Sequence, residues 1–331
     1  MIKKIGIIGA GAWGTALGCA AARAGREVVI QAHEPEVAQS INTGHENPIF
    51  LPGVKLDPSI RATVDLSGAA DADAVLLVAP SQFLRSVCEA LRPHWRDGVP
   101  AVICSKGIEQ ETGALMSEVV AETLPGATLA VLSGPTFAAE VARGLPTGVT
   151  LACRDTTLDK KLADALGAPT FRTYQSDDLI GAQIGGAVKN VLAIGCVIAQ
   201  GRGLGDNARA TLITRGLSEI SHLATAKGGK LETLMGLSGL GDLTLTCNAM
   251  QSRNFSLGVA LGQGRTLKDI LAERRTVAEG VFSASSVSGL ARRLGVDLPI
   301  CLAVERVLNH HADIDATIEG LLSRPVSLET D

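Results

Sequence analysis

The chain has 331 residues, 46% of them hydrophobic and 19% charged, enough to bury one large core or two ordinary ones, and two domains are expected. Its formal net charge of −4 and lack of basic runs argue against general nucleic-acid binding, which needs clustered lysine and arginine to neutralise phosphates. No apolar stretch reads as a membrane span and the N-terminus reads as a strand instead of a signal peptide, so a cytoplasmic protein without stable membrane insertion is expected.

Residues 4–14, KIGIIGAGAWG, begin with a short apolar run and continue into Gly9, Gly11 and Gly14 in the spacing G-x-G-x-x-G. A helix-compatible TALGCAAARAG follows, and then a second strand, EVVIQ. A dinucleotide-binding turn needs glycine at each position: for the tight turn, for approach of the backbone to a diphosphate, and for close packing of helix on strand. N–H groups at the helix start then receive the anion. The alternative is a purely structural glycine turn. The second strand ends in Gln31-Ala32-His33-Glu34. An acidic residue there suits the 2′-hydroxyl of NAD and a cationic one the 2′-phosphate of NADP, so His33 and Glu34 leave that choice open.

Strand-like runs recur near 72–80, 99–107 and 127–135 with helical segments between them, which implies a parallel sheet with helices on both faces. Ligands bind such sheets at the C-terminal strand ends, where Lys106 and Thr136 follow two of these runs. Residues 146–153 and 170–176 read as two further strands, after which strand signals stop. From Asp177 the pattern is helical, with long segments to about Gln200 and from Asp206 to Lys227, and a domain boundary is expected near 180–190. The closing SRPVSLETD reads as a frayed tail. Seven cysteines form no CxxC pair and suit reduced, buried thiols, and among six histidines there is no HExxH, so no metal is expected.

The stretch 185–254 places charge among apolar and glycine-rich residues. Lys189 lies in GAQIGGAVKNVLAIGCVIA, where no other side chain is charged. A lysine so placed either snorkels to water or works as a proton donor for a carbonyl undergoing reduction, with Asn190 beside it. Asp242, in LSGLGDLTLTC, either holds that ammonium, bonds a substrate hydroxyl, or caps a turn. Ser252-Arg253-Asn254 reads as an anion clamp or as a solvated helix start, because serine caps helices and arginine offers a planar fork of donors to phosphate. Asp206-Asn207 reads as a helix start.

GAGAWGTAL at 9–17, ICSKGI at 103–108, LSGPTFAAEVA at 132–142, AVKNVLAIG at 187–195, GLGDNARATLITRGLSE at 203–219, GLSGLGDLTLTC at 236–247, SRN at 252–254 and VAEGV at 277–281 together resemble the bacterial NAD(P)-dependent glycerol-3-phosphate dehydrogenases. The resemblance implies an α/β fold: an N-terminal Rossmann-type doubly wound, mostly parallel sheet over 1–185, followed by an all-helical substrate-binding domain over 186–331. It implies interconversion of dihydroxyacetone phosphate and sn-glycerol 3-phosphate for phospholipid synthesis, with NAD or NADP as cofactor. Lys189 falls on the family's catalytic lysine. Lys106, Gly134, Thr136, Asn190, Asp242, Ser252, Arg253 and Asn254 fall on positions serving the substrate. Gly9, Gly11, Ala12, Trp13, Gly14, His33, Lys106, Ala138, Arg253, Val277 and Glu279 fall on positions serving the cofactor. The chain departs from the family pattern at Ala12-Trp13, which lacks a serine hydroxyl, and at Gln31-Ala32-His33, which lacks a fixed positive charge. The apolar helical half makes a homodimer the expected assembly.

Overall fold

The computed structural model describes residues 1–248, 253–263, 265, 270 and 279–325. The chain divides into two compact units, Met1–Lys106 with Ala114–Ala182 and Gly107–Gly113 with Gln183–Asp331.

The first unit is built on ten strands: β1 (Lys4–Ile8), β2 (Glu27–Gln31), β3 (Glu46–Asn47), β4 (Leu51–Lys55), β5 (Arg61–Thr63), β6 (Ala74–Leu77), β7 (Pro100–Ile103), β8 (Thr128–Ser133), β9 (Thr147–Cys153) and β10 (Phe171–Ser176). Eight of them form one sheet in the order β10-β9-β8-β7-β6-β1-β2-β5, and β3 and β4 form a separate antiparallel pair. Every pairing in the large sheet is parallel except β8 with β9. The expected mostly parallel, doubly wound sheet is present.

Alternation along the central strands explains why both faces are covered. Ile5 and Ile7 of β1, Leu76 of β6 and Val102 of β7 belong to one buried cluster, which α1 (Ala12–Arg23), α2 (Pro35–Gly44), α6 (Ala138–Ala142) and α7 (Thr156–Leu166) complete. Ile8, Val75, Leu77 and Ile103 face the opposite way, toward α3 (Leu66–Ala70), α4 (Leu84–Leu91) and α5 (Met116–Thr123). Strands buried on both faces carry near-continuous apolar runs, and each fully buried leucine or isoleucine contributes about 1.5–3 kcal/mol.

The described elements of the second unit are helical. They are α8 (Leu179–Gly201), whose first residues belong to the N-terminal unit, then α9 (Gly205–Ala226), α10 (Leu231–Leu234), a π-helical turn at Leu237–Gly241, α11 (Asp242–Asn248), α12 (Arg253–Gly262), and helices Glu279–Leu294, Pro299–Asn309 and Ile314–Leu322. The expectation that no stretch has the length and apolarity of a membrane span is corrected here. The 23 residues of α8 have both, but 94% of its apolar window is buried inside the fold, as befits a core helix apolar on every side. Glu219 of α9 caps helix Pro299–Asn309: its Oε1 accepts from Ile300 N–H at 2.6 Å and its Oε2 from Cys301 N–H at 3.0 Å. Burial pushes this carboxyl up to about 7, against the two N–H bonds that pull it down.

Candidate active site

The fingerprint turn lies between β1 and α1. Gly9 has φ +113°, a conformation L side chains rarely adopt, and a Cβ on Gly14 would fall 1.9 Å from the Gly9 carbonyl oxygen, so strand and helix touch through glycine alone. Gly11 heads α1 without a side-chain cap and is exposed. Trp13 Nε1 is buried and has no partner among the described residues. An uncapped helix start behind a glycine turn at the C-terminal edge of a parallel sheet fits a dinucleotide diphosphate. Next to it, His33 is exposed just beyond β2, and the half-buried Glu34 heads α2.

A second cluster joins the loops that follow β6, β7 and β8. Ser105 Oγ donates to the Ala79 carbonyl at 2.5 Å, and Lys106 Nζ donates to the Gly134 carbonyl at 2.9 Å. Thr136 Oγ1 donates to the same Gly134 oxygen at 3.3 Å. Sheet order explains the meeting, since β7 lies between β6 and β8. Ala138, half-buried, opens α6 just beyond.

The helical unit holds the third cluster. Lys189, 7% exposed, does not snorkel: its Nζ donates to Asp242 Oδ1 at 2.5 Å and to Thr246 Oγ1 at 3.1 Å. Asp242 is fully buried at the first position of α11, directly after the π-helical turn, where Gly241 N–H reaches back to the Gly236 carbonyl at 3.1 Å. Such turns swing a side chain off the regular helical face, here toward α8. Close backbone approach fixes that geometry, because a Cβ on Gly185 of α8 would fall 2.3 Å from the Ser238 carbonyl oxygen of the turn. The Thr246 hydroxyl donates to the Asp242 carbonyl at 2.7 Å and is thereby aimed. A desolvated ammonium held by a carboxylate and a hydroxyl can pass a proton from a fixed position.

The expected site residues thus fall into groups. Gly9, Gly11, Ala12, Trp13 and Gly14 gather at one turn; Lys106, Gly134 and Thr136 meet at the strand ends; Lys189 and Asp242 form an ion pair, with buried Asn190 beside Lys189 in α8. Arg253 and Asn254 open α12 and Glu279 opens the helix Glu279–Leu294. Ser252, Val277 and the last six residues of the chain lie outside the described residues. Asp206 behaves as a helix-start residue, pairing with Arg209 at 2.9 Å. Thr246 was missed; four residues beyond Asp242, it shares a helix face with it, and that spacing is a usable signal. Among the described residues no group of three or more His, Cys, Asp or Glu could hold a metal ion.

Comparison with known proteins agrees along the whole chain. Residues 4–159 match the NAD-dependent glycerol-3-phosphate dehydrogenase N-terminus and residues 178–319 the C-terminus of the same family. A glycerol-3-phosphate dehydrogenase (NAD(P)+) of Rhodospirillum rubrum is 60% identical over 330 residues, covering 99% of this chain and 95% of that protein. One of the same description from Parvibaculum lavamentivorans is 57% identical over 328 residues, covering 99% and 98%. The crystal structure of glycerol-3-phosphate dehydrogenase from Coxiella burnetii superposes with a TM-score of 0.93 at 38% identity, covering 98% of this chain and 99% of that one. The chain belongs to the NAD(P)-dependent glycerol-3-phosphate dehydrogenase family, oxidoreductases acting on a CH–OH group.

Proposed function

We propose that the protein interconverts dihydroxyacetone phosphate and sn-glycerol 3-phosphate by hydride transfer at C2, supplying glycerol 3-phosphate for phospholipid synthesis as a cytoplasmic homodimer. Beyond family membership, the observation that carries this reading is the Lys189 ammonium held inside an apolar helical unit by Asp242 and Thr246.

The bound nicotinamide cofactor supplies or accepts the hydride. As C2 gains the electron pair of the hydride, the carbonyl oxygen gains negative charge and needs a proton. Lys189 donates that proton and its charge stabilises the developing alkoxide. In the reverse direction the neutral amine of Lys189 takes the proton from the alcohol. Asp242 and Thr246 hold Nζ where this happens, so their part is orientation.

The N-terminal domain, 1–185, serves the cofactor through Gly9, Gly11 and Gly14 at the diphosphate, with Ala12, Trp13, His33 and Ala138. From it Lys106, Gly134 and Thr136 also serve the substrate, and Lys106 the cofactor as well. In the helical domain, 186–331, Asn190 orients substrate, while Ser252, Arg253 and Asn254 hold its phosphate, for which the guanidinium fork of arginine is suited. Val277, Glu279 and Arg253 serve the cofactor.

The test is the initial rate of NADH and of NADPH oxidation, measured side by side with dihydroxyacetone phosphate, with glycerol 3-phosphate identified as product. Turnover is expected, and the ratio of the two kcat/KM values reads whether His33 or Glu34 governs the 2′ position. Cofactor binding without turnover overturns the reading.

A further inference from the structure

Asn47, at the end of β3, has no exposed surface, yet its amide reaches the fingerprint turn at Ala10, 37 residues earlier in the chain, and Thr15 of α1, 32 residues earlier. Its Nδ2 donates to the Ala10 carbonyl at 2.8 Å and to Thr15 Oγ1 at 2.9 Å, and its Oδ1 accepts from Phe50 N–H at 3.1 Å. Thr15, also fully buried, donates from Oγ1 to the same Ala10 carbonyl at 3.3 Å. Ala10 O, Thr15 Oγ1 and Asn47 Nδ2 therefore form a closed, buried triangle. The reverse setting of the Asn47 amide would press Oδ1 against the Ala10 oxygen and Nδ2 against the Phe50 N–H, so these partners fix the amide.

Ala10 stands between the first two fingerprint glycines. In a trans peptide the C=O of one residue and the N–H of the next point in opposite directions. Drawing the Ala10 carbonyl inward therefore turns the Gly11 N–H outward, and Gly11 is exposed, with nothing within 4 Å of where a Cβ would stand. That N–H belongs to the uncapped start of α1.

We propose that Asn47, with Thr15, is a positioning residue for the dinucleotide: it locks the Ala10–Gly11 peptide so that the Gly11 N–H is aimed at the diphosphate. The β3–β4 hairpin thereby becomes a working part of the cofactor site. The proposal rests on the reading that the diphosphate binds at Gly9–Gly14. Replacing the asparagine frees the peptide to rotate, and each rotation away from the outward setting weakens diphosphate binding while leaving the proton chemistry in the helical unit untouched.

The experiment compares Asn47→Ala, Thr15→Val and Thr15→Ser with the wild type by steady-state kinetics, by equilibrium titration with NADH, and by thermal melting without ligand. For Asn47→Ala and Thr15→Val the KM and Kd for NADH should rise about tenfold, the worth of one well-placed hydrogen bond. The kcat at saturating NADH and the KM for dihydroxyacetone phosphate should stay within about twofold. Thr15→Ser keeps the hydroxyl and should behave as wild type. A folded Asn47→Ala protein with wild-type NADH affinity overturns the proposal, as does a parallel loss in every parameter and in melting temperature. Should Asn47→Ala fail to fold, equal NADH affinity in Thr15→Val and Thr15→Ser overturns it instead. Wild-type protein that binds NADH but does not reduce dihydroxyacetone phosphate sinks the substrate assignment alone, since the titration reads the Asn47 contrast without turnover.

Discussion

Lys106 in the N-terminal unit is half-buried and its Nζ donates to a neutral backbone carbonyl, that of Gly134, whereas Lys189 in the helical unit is almost fully buried and its Nζ donates to a carboxylate, Asp242. The first arrangement sets a half-buried ammonium at the strand ends, where the proposed function has it attract a phosphorylated substrate. The second brings charge into the interior at a desolvation cost that the pair barely recovers. What it gains is a fixed proton position. On the proposed function the same residue type serves attraction in one unit and proton delivery in the other, and substitutions should separate the two.

The largest effect is expected at Lys189. Lys189→Met keeps the stem and removes the proton, so kcat should fall by about 10²–10⁴. Asp242 then stays buried without the Lys189 ammonium, and urea denaturation should show a loss of roughly 3–5 kcal/mol. Adding Asp242→Leu removes that charge; the double variant should regain most of the stability and none of the turnover. A Lys189→Met protein that turns over near the wild-type rate breaks the comparison.

Glu219 sharpens the contrast from the carboxylate side. Asp242 has a lysine, but Glu219 has backbone N–H donors at a helix start, and burial pushes it up to about 7 from 4.5. The folded protein then holds the proton more tightly than the unfolded chain, so this contribution to stability is full below 4.5 and is lost as pH rises to about 7. The gap is worth about 3 kcal/mol. Denaturation from pH 4 to 8 should show the difference between wild type and Glu219→Gln changing across that window, and a constant difference would mean that Glu219 does not titrate there.

Much of the first unit was legible because its signals are local. Short apolar runs in β6, β7 and β8 and the glycine spacing after β1 each act within about ten residues. The β3–β4 hairpin carried no such signal: β3 has two residues, Pro48 follows it, and β4 contains Pro52 and Gly53. Asn47 draws no notice in the sequence because its partners at Ala10 and Thr15 are brought to it only by the fold. In the helical unit Lys189 stood out as a lone charge, but its link to Asp242 spans 53 residues and depends on a π-helical turn that no periodicity announces.

The smallest effect is expected at Lys106. Lys106→Met removes one donor from the Gly134 carbonyl, which still accepts from Thr136 Oγ1 at 3.3 Å, so the loss of that bond should cost about 1 kcal/mol of stability. The KM for dihydroxyacetone phosphate should nevertheless rise about ten- to a hundredfold, the worth of a charged hydrogen bond, with kcat less affected. Raising the salt concentration should raise the wild-type KM more than that of the variant, because a half-exposed charge is screened and a missing one is not. If Lys106→Met instead lost as much stability as Lys189→Met while keeping its KM, the strand-end lysine would be a structural clamp on the β8 loop, and the division of labour between the two lysines would fail at this end.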